Sequence, residues 1–136
     1  FRDRQITKSI TKSKGKIRVI KSRNVSNNSI NNINGYDCYI DEIKNLAVSK
    51  YLNKPNVLMI PNLTYYPRGC MLPKNSIVDG SVALLTKKNG SKKLNKSDIQ
   101  FYNSEEFTDY YKVARNYGTR SLNIDKSSVF FFGVKK

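Results

Sequence analysis

The chain contains no histidine and no tryptophan, only two cysteines and four prolines, and ten acidic residues against 25 lysines and arginines. Each shortage excludes something. Without imidazole there is no Ser-His-Asp or Cys-His relay. Two thiols and no histidine cannot complete a standard zinc site, so no metal is expected. Cys38 and Cys70 are too few for a disulfide framework. They leave one disulfide or two reduced thiols, the second being expected of a cytosolic protein. No apolar run reaches the ~18 residues that span a bilayer. The opening Phe1-Arg2-Asp3-Arg4 leads into Lys and Ser rather than a signal peptide. A cytoplasmic protein that does not engage a membrane is therefore expected. Neither glycine-rich phosphate loop, GxGxxG or GxxxxGK[ST], occurs.

What is present is length for one domain and an excess of positive charge. The 136 residues suit a single compact domain, spanning 1–136, with a basic arm or loop at 1–16. A first residue other than Met reads as an excised piece, with catalytic parts expected elsewhere in a longer protein. The net charge of +15 points first to nucleic acid and second to an anionic membrane surface. Nine basic residues and one acid, Asp3, fall in the first 23 positions, and five lysines without an acid lie between 87 and 96. Arg2, Arg4, Lys8, Lys12, Lys14 and Lys16 in the arm, with Lys87, Lys88, Lys92, Lys93 and Lys96 in the turn, are the candidate phosphate contacts. The competing reading is a solvated basic face, and two separate clusters favour nucleic acid over it.

Periodicity places the elements. Ile17-Arg18-Val19-Ile20 alternates as a short strand. Residues 24–35 are polar, with a turn signal at Asn34-Gly35, and suit a hairpin tip or an ordered loop. Asp41 to Leu52 reads as a helix, with Asp41 as N-cap and Ile43, Leu46, Ala47 and Tyr51 at helical spacing. Val57-Leu58-Met59-Ile60, bounded by prolines, fits a buried strand. The prolines at 55, 61, 67 and 73 share a six-residue period, but the blocks between them share little else, so no repeat is assigned. Ile77 to Thr86 carries the apolar body Val82-Ala83-Leu84-Leu85. A second helix runs from Ser104 to about Tyr117, with Asn103 in the capping-box position and Phe107, Tyr110, Tyr111, Ala114 and Tyr117 in one stripe. Val129-Phe130-Phe131-Phe132 reads as a last buried strand or a docking segment. The sum is an α+β fold, a small mostly antiparallel sheet with two main helices.

Two loops mix residue types that can read bases. Tyr65 and Tyr66 precede Arg68 in a proline-stiffened segment, and an arginine can hold a guanine edge through two hydrogen bonds. Arg115, Asn116 and Arg120 cluster at the C-terminal end of the second helix, where cations also complement the helix dipole. Arg23 and Asn24 are further candidates. The pairs Asp41-Glu42 and Glu105-Glu106 begin helices, where acids are ordinarily favourable, so no catalytic residue is assigned to them. Five Asn-X-Ser/Thr sequons occur, as chance provides in an Asn- and Ser-rich chain.

From about Pro55 onward the sequence resembles the target-recognition region of adenine-specific DNA methyltransferases of bacterial restriction–modification systems. Asn56-Val57-Leu58-Met59-Ile60-Pro61-Asn62-Leu63, Asp79-Gly80-Ser81-Val82-Ala83-Leu84-Leu85, Tyr117-Gly118-Thr119-Arg120-Ser121-Leu122-Asn123-Ile124-Asp125 and Ser128-Val129-Phe130-Phe131-Phe132-Gly133 carry the likeness. Upstream, the stretch from Lys16 to Val25 is similar to the opening of recognition domains in these enzymes and in Type I specificity subunits. The resemblance implies that this chain reads duplex DNA while a separate domain of the same polypeptide binds S-adenosylmethionine. That domain receives a flipped adenine in an Asn/Asp-Pro-Pro-Tyr/Phe motif. The present chain has no Pro-Pro and no cofactor loop.

The reading is thus sequence-specific duplex binding by the recognition part of a DNA adenine N6-methyltransferase. A Type I specificity subunit, a basic RNA- or ribosome-binding module, and an interaction domain basic only by composition are the alternatives. A free-standing enzyme comes last, lacking a nucleophile and base.

Overall fold

The computed structural model describes residues 5–86 and 94–114, together with the backbone of 122–123. The chain opens with a 3-10 turn at Lys8–Ile10 and enters strand β1 (Ile17–Ile20), where the alternation predicts it. A second 3-10 turn, Ser22–Asn24, leads into the small hairpin of β2 (Val25–Ser26) and β3 (Ser29–Ile30). Its tip is Asn27-Asn28; Asn34-Gly35 makes a separate turn before β4 (Cys38–Ile40). Strands β5 (Leu58–Pro61), β6 (Leu63–Thr64), β7 (Cys70–Met71), β8 (Ser76–Val78) and β9 (Val82–Leu85) follow. Helices α1 (Lys96–Tyr102) and α2 (Glu105–Ala114) and the short strand β10 (Leu122–Asn123) complete the described elements.

Two three-stranded sheets result. In the first, β1 lies between antiparallel β4 and parallel β8. In the second, β5 lies between β7 and β9, both antiparallel. The architecture is α+β with small, mostly antiparallel sheets and two helices, as expected.

Strand β5 is buried on both faces, which explains its unbroken apolar run. Because side chains alternate along a strand, Val57 and Met59 enter a core with Val19, Ile20, Ile40, Ile77 and Val78 of the first sheet. Leu58 and Ile60 face the other way, onto Ile99 and Tyr102 of α1 and Phe107 and Tyr111 of α2. The neighbours keep step. Val82, Leu84 and Cys70 join the first core, whereas Ala83, Leu85 and Met71 pack against the second. The second sheet is therefore the middle layer, between the first sheet and the helix pair. Phe107 anchors the helical side, its ring 5.0 Å from that of Tyr102 and 5.6 Å edge-on from that of Phe101. Such ring pairs add ~0.5–1.5 kcal/mol each beyond area burial.

Three expectations are corrected. Asp41–Leu52 is not an α-helix. Asn45 sits at a φ of 66°, which breaks any helix, and only a 3-10 turn forms at Ala47–Tyr51. The helical spacing of Ile43, Leu46 and Tyr51 is real, but successive turns bring those side chains to the first core. The second correction concerns the cap of α2. Ser104 fills that place, its hydroxyl oxygen accepting from the Phe107 amide at 3.1 Å. The Asn103 side chain instead pairs with the Gly69 backbone, accepting from its N–H at 2.7 Å and donating to its carbonyl at 2.9 Å. Third, α1 was unforeseen, although Asn95 and Asp98 form a reciprocal capping box. The two main helices are thus adjacent rather than far apart in sequence. Within α2, Phe107 and Tyr111 are buried while Tyr110 stays 50% exposed. Tyr117 and the expected strand at 129–132 lie outside the described residues.

The abundant asparagine has a conformational role. Asn28, Asn45, Asn53, Asn56 and Asn75 are all left-handed, as are no other non-glycine residues among those described. Asparagine tolerates this region better than other side chains. Asn45→Gly should therefore leave stability nearly unchanged, whereas Asn45→Ala should cost about 1 kcal/mol. Urea denaturation of the two variants measures the difference, and equal midpoints would contradict the turn assignment.

Cys38 and Cys70 are free thiols. Cys70 is buried, and burial pushes its thiol up to about 11. At pH 8 a thiol-specific reagent should modify Cys38 in the native protein and reach Cys70 only after denaturant is added. Rapid native modification of Cys70 would contradict its burial.

Candidate nucleic-acid interface

Within its described residues, 5–16, the basic arm is docked against the fold. Lys12 pairs with Tyr39 as an isolated antiparallel bridge, with both backbone bonds at 2.8 Å, so the arm borders the free edge of β4. Gly15 allows the close approach: a Cβ there would stand 2.9 Å from the Tyr39 Cβ. Asp41 holds the arm from the side, accepting the Lys12 ammonium at 2.9 Å and the Lys16 backbone N–H at 3.3 Å. These hydrogen bonds and the lysine charge lower the Asp41 pKa, and Asp41 in turn raises that of Lys12. Both groups are exposed, so the pair itself adds little stability. Lys8, Lys14 and Lys16 also lie exposed along the arm. Lys96, assigned to the lysine turn by sequence, is the exposed first residue of α1.

Arg68 and Asn24 are turned inward, which corrects their assignment to base reading. Arg68 donates from Nε to the Val25 carbonyl at 2.9 Å, and more weakly from Nη2 to the Ser22 carbonyl at 3.4 Å. Its Nη1 donates to the Thr64 hydroxyl, which donates onward to the Tyr66 carbonyl at 2.7 Å. One guanidinium thereby ties the Ser22–Asn24 turn, β2 and β6 together. Asn24 has no exposed surface. Its side-chain oxygen accepts from the Lys21 amide, and its NH₂ donates to the Asn31 carbonyl at 3.0 Å and to Asp37 at 2.6 Å. With both N–H groups committed and the residue fully buried, the amide presents no edge to a base.

The residues left outward are aromatic. Tyr65 is 73% exposed and Tyr66 49%, on a loop braced from below by Arg68. Arg23 is exposed, its guanidinium 4.9 Å from the centre of the Tyr36 ring, which Lys21 also overlies at 3.8 Å. The pairing of β6 with β10, Leu63 opposite Asn123 and Thr64 opposite Leu122, sets the backbone of 122–123 beside the Tyr65–Tyr66 loop. Two segments separated by over fifty residues in sequence are thus neighbours. The side chains of Arg2, Arg4, Lys87, Lys88, Lys92, Lys93, Arg115, Asn116 and Arg120 lie outside the described residues.

Sequence reasoning did not anticipate two features. Arg18, on β1, donates to Asp37 at 2.9 Å, to Asn32 at 2.7 Å and to the Asn31 carbonyl, and so fixes the 31–37 loop. A polar cleft of about 500 Å³ lies between Asn27 of the hairpin tip, Tyr66, Asn103 and the outer side of α2 at Glu105, Asp109 and Lys112. Its walls are distant in sequence, so no local signal announces it. Among the described residues, no group of three His, Cys, Asp or Glu side chains could hold a metal ion. No helix among them is long and apolar enough to cross a membrane.

Charge is unevenly divided between the two long described segments. Residues 5–86 hold twelve lysines and arginines against four acids, a net +8, whereas 94–114 hold two against four, a net −2. Comparison with protein-family models, curated proteins and solved structures finds no match for this chain.

Arg68→Ala should lower unfolding stability by about 2 kcal/mol, because charge-assisted hydrogen bonds to backbone carbonyls are lost. Arg68→Lys should recover little, since an ammonium cannot span the same fork. Chemical denaturation distinguishes these outcomes from a solvent-facing arginine, whose removal would leave the midpoint unmoved.

Proposed function

We propose that this chain binds double-stranded DNA and reads its sequence, as the target-recognition part of an S-adenosylmethionine-dependent adenine N6-methyltransferase. The observation that carries duplex binding is the lopsided fate of charges in residues 5–86. Of the four acids, Asp37, Asp41 and Asp79 accept hydrogen bonds from their own chain, which leaves Glu42. Nine of the twelve cations, including Lys8, Lys14, Lys16 and Arg23, are exposed. A surface on which exposed cations so outnumber exposed acids attracts a polyanion through counterion release.

The enzyme class rests on the resemblance alone. S-adenosylmethionine and the flipped adenine belong to the catalytic domain of the parent, because no Pro-Pro or glycine-rich loop here fits either. A bacterial cytoplasmic location goes with that reading. A Type I specificity subunit shares the likeness at residues 16–25.

Roles divide by side-chain chemistry. Phosphate contacts fall to the outward lysines of the arm, to Lys96 and to the lysine turn, while base contacts fall to Tyr65, Tyr66 and Arg23, with Arg115, Asn116 and Arg120. Phosphate contacts position the protein and base contacts specify. The two exposed tyrosines also favour a second reading, in which rings stack on unpaired bases of RNA.

Fluorescence anisotropy with labelled duplexes tests this division. Lys14→Ala or Lys92→Ala should weaken binding to all duplexes equally and flatten the log–log salt slope by about 0.9 each. Tyr65→Ala should instead narrow the gap between preferred and random duplexes. Tighter binding to single-stranded RNA than to any duplex would overturn the proposal in favour of the RNA reading.

A further inference from the structure

We propose that the arm carries a phosphate-binding cradle, made by the Lys12 ammonium and the Lys16 backbone amide, in which the Asp41 carboxylate is a resident competitor. A phosphate of the bound nucleic acid takes its place. The use of the cradle by DNA rests on the duplex-binding reading above; the cradle itself rests on geometry.

Two donors of different kinds converge on one carboxylate, one on each oxygen: Lys12 Nζ on Oδ2 at 2.9 Å and the Lys16 N–H on Oδ1 at 3.3 Å. Between them in sequence, Gly15 brings bare backbone against the anion, since a Cβ there would lie 3.1 Å from Oδ1. An ammonium and a backbone N–H are the donors that proteins use on phosphate oxygens. The cradle is prepared before any ligand arrives, because the Lys12–Tyr39 bridge fixes its backbone. It is also open, with the Lys12 and Asp41 side chains 67% and 40% exposed. An exposed ion pair exchanges at little cost. While Asp41 holds it, Lys12 is already neutralised and contributes no counterion release. Glu42, the adjacent exposed acid, bonds to neither donor and provides an internal control.

The test compares wild type, Asp41→Asn and Glu42→Gln, the last two changing the net charge equally. In ¹⁵N-labelled protein titrated with inorganic phosphate against chloride at constant ionic strength, the Lys16 amide should shift saturably in Asp41→Asn. It should stay nearly still in wild type and Glu42→Gln. In duplex binding, Asp41→Asn should be about two- to fivefold tighter than wild type, with a log–log salt slope about 0.9 steeper. Lys12→Ala in the Asp41→Asn background should abolish the gain, and Glu42→Gln should not steepen the slope. A Lys16 amide indifferent to phosphate in Asp41→Asn overturns the cradle. So does an equal gain from Glu42→Gln, which would mark plain charge addition, or weaker duplex binding accompanied by loss of the Lys12–Tyr39 contact. A phosphate-responsive Lys16 in a protein that binds no duplex would support the cradle while removing the duplex reading.

Discussion

Strand β5 has no solvent side, and most of the architecture follows from accommodating that. Leu58 to Pro61 are buried throughout, with alternate side chains in different cores. A strand in this position needs a layer on each face and paired neighbours at each edge. The first sheet supplies one layer, the α1–α2 pair the other, and β7 and β9 the edges. The constraint reaches the surface through Gly69. A Cβ there would meet the Met59 carbonyl oxygen at 2.8 Å, so the chain returning from the Tyr65–Arg68 loop lies directly on β5. Asn103 grips the same glycine from the helix corner. The end of the Tyr65–Arg68 loop is thus fixed against the central strand and the helix corner.

Features governed by local pattern were legible in the sequence, and those governed by distant partners were not. The apolar run 57–60 announced a buried strand, and the alternation at 17–20 announced β1. Asp41–Leu52 misled because 3.6-residue spacing states only where apolar side chains must go. Turns interrupted at Asn45 deliver them equally well. The same segment shows how a good N-cap residue can be recruited elsewhere, since a partner 29 residues upstream takes Asp41. Helix α1 did carry its capping box in sequence, but beside a lysine run whose charge drew the reading toward a turn.

The candidate site divides in the same way. Residue type and a proline-stiffened loop nominated Arg68, because a guanidinium fork matches a guanine edge, and Asn24 stood beside it as a further candidate. The same donors equally suit backbone carbonyls. The β2–β3 hairpin and the chain on either side of it offer the carbonyls of Ser22, Val25 and Asn31 as acceptors, that of Ser22 also holding the Val25 N–H and that of Asn31 the Arg18 guanidinium. Arg68 and Asn24 donate to them. Nothing in the local sequence separates a reading arginine from a bracing one. The difference lies in which distant carbonyls the fold brings within reach of the side chain.

Such bracing bears on recognition through entropy. A loop that must order itself on binding loses part of its interaction energy to that ordering, whereas one held in advance does not. Thr64, Tyr66 and Arg68 form a chain of hydrogen bonds beneath two outward rings, and β10 lies along the other side of β6. Tyrosine has only two side-chain torsions to fix, so rings mounted on such a base can contact a partner at small entropic cost. The arm shows the same preorganisation at the opposite extreme of chemistry, with the Lys12 ammonium held at a sheet edge by the exposed Asp41 carboxylate. If both surfaces meet one ligand, the arm provides general attraction and the braced aromatic loop discrimination. Inward Arg68 then contributes to discrimination without touching what is read.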